Sequence, residues 1–144
     1  MISCRWCAPH LGAASDDSLP QSPKQIAERL TKRPQPTATM FRRTLSLCDA
    51  DNGIVEAEFD APTDFATAGG FIQGGFVAAM LDDLAALAAI IHADQAITVP
   101  TSSFTVNFLK PVLLGRLHGD ARCLKLGRSV AFLEARLFGT DRQL

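Results

Sequence analysis

Between residues 73 and 83 the chain reads QGGFVAAMLDD, a glycine pair followed seven and eight residues later by Asp82 and Asp83. A carboxylate can take a proton from water or attack a carbonyl carbon directly. Unpaired N–H groups at the start of a helix can hold a developing negative charge, helped by the helix dipole. The pair Gly74 and Gly75 therefore has two readings: a turn that opens a helix, or an anion site. The two carboxylates differ as well. At about 100° per residue, Asp82 lies at the centre of a face formed by Gly75, Ala78, Ala79, Ala85, Ala86 and Ala89. Asp83 falls at the edge of a stripe of Phe76, Met80, Leu84, Leu87 and Ile91. A carboxylate on a buried surface must be hydrogen-bonded, paired or protonated. Asp83 reads as local structure. Asp82, set among alanines, is either solvated at a rim or functional.

Distance limits how these groups can cooperate. Gly74 and Asp82 are eight residues apart, roughly 12 Å along a helix. A carbonyl about 3 Å from the glycine N–H cannot also meet the carboxylate of the same helix. If both act on one substrate, Asp82 must come from a second copy. A two-fold dimer with antiparallel helices meeting over the small residues would supply it, and the site would occur twice.

These groups need an element that holds them. No Lys or Arg occurs between Gly74 and Ala93, so the segment is expected as one long helix, residues 74–92, apolar all round and buried on both sides. Ahead of it, residues 41–48 and 54–59 alternate around the turn-forming Asp49, Asn52 and Gly53, the pattern of a hairpin. Beyond it, residues 101–109, 116–126 and 129–139 read as strands, the last two joined through Gly127. Ser22, Pro23 and the apolar Ile26, Ala27 and Leu30 predict a short helix ending before Pro34. Residues 1–22 have no periodicity and read as a flexible N-terminal tail, leaving residues 23–144 as a single domain. The order β-β-α-β-β-β predicts an α+β fold, an antiparallel β-sheet wrapped around one long central helix.

Composition narrows the classes further. The 144 residues are 47% apolar with a net charge of −1, which excludes a disordered polyelectrolyte and a nucleic-acid binder acting through bulk charge. Asp82 and Asp83 interrupt the most apolar run, so no membrane span is expected. Cys4 and Cys7, with His10 nearby, lack the further ligands a structural zinc needs, so no metal is expected. Cys48 and Cys123 read as small core residues. No secretory apolar segment follows Met1, which makes a cytoplasmic protein the expectation.

The segment GFIQGGFVAAMLDD, residues 70–83, resembles the GxxHGG or GxxQGG signature, followed by Asp or Glu, of hotdog-fold acyl-CoA thioesterases of the PaaI-like type. NFLKPV at residues 107–112 with Gly115, and KLGRS at residues 125–129, resemble two further segments of that family, in order on the same frame. The resemblance implies the hotdog fold, a homodimer with a continuous sheet or a homotetramer built as a dimer of dimers, and hydrolysis of an acyl-CoA. CoA is part of the substrate, and no separate cofactor is implied. The family's oxyanion-binding glycine maps to Gly74 and its catalytic carboxylate to Asp82. The position before the glycine pair, often histidine, is Gln73, which can still hydrogen-bond the substrate. The Ser or Thr that positions water maps to Thr101, with Ser102 or Ser103 serving if the register slips. An asparagine found upstream in some members falls at Thr67. Gly75, Thr67, Ser103 and Asn107 are implied contacts for the substrate or CoA. Arg128, Lys110 or Arg116 could meet the CoA phosphates.

Two other functions share this frame. Hydration or dehydration of an acyl thioester needs a histidine at the site, and His10, His92 and His118 fall elsewhere on the expected elements. A non-catalytic acyl-CoA-binding or regulatory protein would use the same fold and pocket.

Overall fold

The computed structural model describes residues 2–5, 25, 28, 35–93 and 99–139. Within them the elements run β1 (Ile2–Arg5), α1 (Pro36–Met40), β2 (Thr44–Asp49), β3 (Ile54–Ala61), a single 3₁₀ turn (Thr63–Phe65), α2 (Gly74–His92), β4 (Thr101–Phe104), β5 (Gly115–Leu126) and β6 (Val130–Phe138). The strands form one antiparallel sheet in the order β2-β3-β5-β6-β1-β4. It wraps the long helix α2, as the sequence predicts.

The hairpin β2–β3 turns where its chemistry dictates. Asp49 accepts from the backbone N–H of Asn52 at 3.1 Å and from its side-chain amide at 2.8 Å. Gly53 then adopts a left-handed φ of 62°, which a side chain would resist. A Cβ there would also stand 2.9 Å from Cys123 Cβ and 3.0 Å from the His92 ring. His92 donates from Nδ1 to the Ala50 carbonyl at 2.9 Å, tying the end of α2 to this turn.

Strand alternation sorts the two sheet faces. Val55, Ala57, Phe59 and Ala61 from β3, with Leu117 and Ala121 from β5, are buried against α2. The helix answers with Val77, Met80, Leu84, Leu87, Ala88 and Ile91. It approaches β5 closely at Gly119, where a Cβ would lie 2.7 Å from Leu84 Cδ2 and 3.1 Å from Phe59 Cε2. On the outer face the charges pair across strands, Arg122 with Glu134 at 3.2 Å and Arg136 with Asp120 at 2.9 Å. The 19-residue α2 contains an 18-residue window of mean hydropathy 1.8, long and apolar enough to cross a membrane. The helix is instead the core of the sheet's concave face.

Several expectations change. Residues 2–5, read as part of a loose tail, form a strand inserted between β6 and β4; the remainder of residues 1–22 lies outside the described residues. So does most of the short helix expected from Ser22, of which Gln25 and Glu28 are helical and exposed. Helix α1, with Pro36 at its first position, forms where the sequence predicts only a break at the prolines. The third expected strand ends at Phe104 rather than residue 109. Burial of α2 on both sides is only partial. Ala85 and Ala89 pack on Ala131 and Leu133 of β6, while Gly75 is exposed and Ala78, Ala79, Asp82 and Ala86 stay half-buried. Wrapping by a curved sheet covers more than half of the helix circumference, so the uncovered stripe is narrower than the small-residue face.

Candidate active site

The start of α2 is held from three sides. The loop before it folds back on itself, Thr67 N–H donating to the Phe71 carbonyl at 2.7 Å and Gly70 adopting a left-handed φ of 79°. Ile72 N–H bonds the Val112 carbonyl at 2.8 Å, and Gln73 N–H bonds the Phe65 carbonyl at 2.9 Å. Gln73 is the N-cap in extended conformation, φ −64° and ψ 134°. Its side-chain Oε1 accepts from Gly75 N–H at 2.8 Å. Gly74, the first helical residue, stands ahead of the intrahelical ladder, and among the described residues nothing accepts from its N–H. At the second glycine a Cβ would lie 2.7 Å from the capping Gln73 Oε1, so a side chain there would displace the cap. At Gly74 the missing side chain faces the ring of Phe108, 3.4 Å from where a Cβ would stand.

Two turns along the helix the aspartates diverge. Thr101 Oγ1 donates to Asp82 Oδ1 at 2.6 Å, joining the uncovered stripe of α2 to the first residue of β4. Asp83 turns toward α1 and the residue just before β2. It accepts from Thr37 Oγ1 at 2.7 Å and from Arg43 Nη1 at 2.6 Å. The side chains of this ion pair are 2% and 8% exposed. Burial pushes the Arg43 guanidinium below its ordinary value, and the Asp83 charge opposes that shift. Among the described residues Arg43 Nε is buried without a partner. Asp83 is thus the counter-ion of a buried arginine, the structural role expected of it. The sequence carries no local signal for its partners, which lie 40 and 46 residues away.

One chain gathers these groups into two clusters. Register pairs Ala61 with Gly115, and Ile72 bonds Val112, so the N-terminus of α2 sits at the beginning of β5. Thr67, Gln73, Gly74 and Gly75 are at that end. So are Asn107 and Phe108, which follow β4, with Asn107 exposed. Arg128 occupies the exposed β5–β6 turn at the far end of a twelve-residue strand, roughly 36 Å along the chain. Thr101 lies toward that end, since Cys4 is the register partner of both Thr101 and Ala131. Ser103 is exposed on β4 and registers with Ser3. The structure therefore brings Asp82 and Thr101 together, and separates them from Gln73 and Gly74 of the same chain. Phe108 is the contact that residue-level reading missed; it lies inside the NFLKPV segment, but only the fold shows its ring against Gly74.

The two described histidines have structural surroundings. His92 is bonded to Ala50, and His118 lies on the outer face 3.6 Å from Glu58. Among the described residues no group of His, Cys, Asp and Glu side chains is placed to hold a metal; Cys7 and His10 lie outside them.

Comparison with known proteins agrees with this fold. Residues 69–144 match the family model of the Thioesterase superfamily. No curated protein matches the chain. Among solved structures, a phenylacetic acid degradation-related protein from Ralstonia eutropha JMP134 is 28% identical, with a TM-score of 0.67 over 79% of this chain and 89% of that one. A thioesterase family protein from Silicibacter pomeroyi is 26% identical, with a TM-score of 0.68 over 85% and 88%. The PaaI protein of the E. coli phenylacetic acid degradation operon shares the fold at 16% identity, with a TM-score of 0.72 over 84% of both chains. With a family match over more than half its length and an antiparallel sheet wrapped on one long helix, the chain belongs to the thioesterase superfamily, as a hotdog-fold protein of PaaI-like architecture.

Proposed function

We propose that the protein hydrolyses an acyl-CoA thioester to the free acid and CoA at a site completed by two copies of the chain. The observation that carries this reading is the division of the two aspartates. Asp83 is consumed by Arg43, while Asp82 stands on the uncovered stripe of α2 with one oxygen held by Thr101 at 2.6 Å. Family membership supplies the thioester chemistry.

In this mechanism the thioester carbonyl oxygen lies at the Gly74 N–H of one protomer. The second protomer supplies Asp82, because about 12 Å of helix separates the two groups within one chain. Asp82 takes a proton from water as the water oxygen attacks the carbonyl carbon, with Thr101 fixing the carboxylate's orientation. The negative charge that gathers on the carbonyl oxygen is stabilised by the N–H and the helix dipole, a contribution of roughly 3 to 4 kcal/mol for a donor of this kind. The C–S bond then breaks, and the CoA thiolate leaves and takes up a proton. Direct attack by Asp82 would give a mixed anhydride that water hydrolyses, with the same residues in place. Arg128, exposed beside the Thr101 end, is suited to a CoA phosphate, and Asn107 and Ser103 to the polar part of the substrate.

The test is release of free CoA across a panel of aryl- and fatty acyl-CoAs. Wild type should turn over at least one class. Asp82→Asn should lose about 10²-fold or more in kcat, the scale of a lost general base. Absence of CoA release by wild type, or full activity in Asp82→Asn, rules the reading out.

A further inference from the structure

We infer that strand β1 is a positioning element of the active site: its backbone holds β4 in an irregular register that turns Thr101 toward Asp82. This deepens the thioesterase reading above and rests on it. Residues 2–5 lie outside the segment 69–144 that matches the family model, so the dependence reaches beyond the matched segment.

Parity along β4 carries the inference. Phe104 packs against the core beside α2, touching both apolar clusters. Thr101 reaches the same helix, since its Oγ1 donates to Asp82 Oδ1 at 2.6 Å. In an unbroken strand side chains alternate, so residues three apart point to opposite faces. Thr101 and Phe104 are three apart, yet both meet α2. The register on β1 supplies the reason. Ile2 pairs with Phe104 and Ser3 with Ser103, but Cys4 then pairs with Thr101. Strand β4 thus takes in Ser102 as one extra residue, a β-bulge, and a bulge re-aims the side chain beside it. The pairing of β1 with β6 runs evenly, from Ile2 with Leu133 to Arg5 with Val130. The irregularity is confined to the β4 side.

Spacing gives β1 a second hold on the site. It separates β4 from β6 by one strand, and each step across a sheet is about 4.8 Å. Without β1, β4 would either lose the one strand it pairs with among the described residues or move in by about that distance to pair with β6. The helix cannot follow, because its side chains are packed on β3, β5 and β6. Neither arrangement keeps a 2.6 Å bond between Thr101 and Asp82.

Consecutive residues of a strand aim their N–H groups at opposite neighbours. Ser3→Pro with Cys4→Pro therefore removes one donor toward β4 and one toward β6. Assayed below its unfolding transition, this chain should lose about 10-fold or more in kcat, the scale of a hydrogen bond to a charged group, with little change in KM. Thr101→Val should lose about as much. Because β1 acts through Thr101, the combined variant should be no slower than its slower parent. Thr101→Ser, which keeps the hydroxyl, should stay as sensitive to the two prolines as wild type. Full kcat in the folded proline variant overturns the inference. So do losses that multiply to about 10²-fold in the combination, the mark of a general loosening. Should the double substitution prevent folding, Ser3→Pro and Cys4→Pro singly replace it in the same comparison. Wild type supplies a further check: the amide hydrogens of residues 2–5 and 101–104 should exchange slowly together. Open-chain exchange at residues 2–5 in an active enzyme overturns the inference. These outcomes leave the thioesterase reading in place, whereas absence of CoA release by wild type overturns both.

Discussion

At the scale of single residues, neighbouring aspartates separate by what a rotation of about 100° turns them toward. Asp83 meets a guanidinium that is itself buried, and the pair is stable only while both charges remain. Removing one partner strands the other in a poorly solvated place, a loss of about 3 to 5 kcal/mol. Asp83→Ala should therefore lower stability by that amount, read from the midpoint of urea or thermal unfolding. Asp82→Ala, losing one hydrogen bond at a half-buried position, should cost about 1 kcal/mol. Equal destabilisation by the two variants would contradict the division of roles. Legibility followed the same line. That Asp82 stands apart from Asp83 can be read from helix periodicity, whereas Arg43 and Thr37 were invisible because their contacts with Asp83 span 40 and 46 residues.

At the scale of elements, the position of α2 over the sheet depends on the absence of a side chain at Gly119. Leu84 and Phe59 fill the space a Cβ would need, at 2.7 and 3.1 Å. Gly119→Ala must push the helix away or force side chains out of their preferred rotamers, at about 1 to 3 kcal/mol. Denaturant unfolding would measure it, and an unchanged midpoint would mean that the helix does not bear on β5 there. A shift of the helix also moves Asp82 relative to Thr101, since one belongs to α2 and the other to β4. The strand β4 is short because residues 105–110 leave the sheet and carry Phe108 to the start of the helix. An apolar-polar alternation through residue 109 matched a strand equally well. Contact with α2, rather than local propensity, ends it.

At the scale of the whole molecule, β4 forms one edge of the described sheet, and its first residue bonds Asp82. The uncovered stripe of α2 and this edge are where a second copy would add its own helix, with the Gly74 N–H at its start. Mixed assemblies test the arrangement. Gly74→Pro removes the N–H while Pro remains acceptable at the first helical position, and the extended Gln73 suits a residue preceding proline. Asp82→Asn and Gly74→Pro should each be inactive alone. Co-expressed in equal amounts, about half of the dimers would be mixed, each with one site intact and one carrying both changes, giving about a quarter of wild-type activity. Activity no greater than that of the parents would mean that each site draws both groups from one chain. The outer sheet face, laced with Arg122–Glu134 and Arg136–Asp120 pairs, is less suited to burial than the helix stripe, because desolvating those charges is costly.

What the sequence determined alone was periodic and local. Helix boundaries at residues 74 and 92, the Asp49–Gly53 turn and the alternation of β3 arise from spacing, turn chemistry and the lack of charge, all read within a few residues. The eight-residue separation of Gly74 and Asp82 likewise calls for a second chain if both groups are to act on one substrate. Tertiary structure decided the rest: the insertion of residues 2–5 between β6 and β4, the ion pair that removes Asp83 from chemistry, the hydroxyl that orients Asp82, and the ring that covers Gly74. Each joins residues distant in the chain. Such contacts are set by how a twisted sheet closes around a helix, which no local pattern encodes.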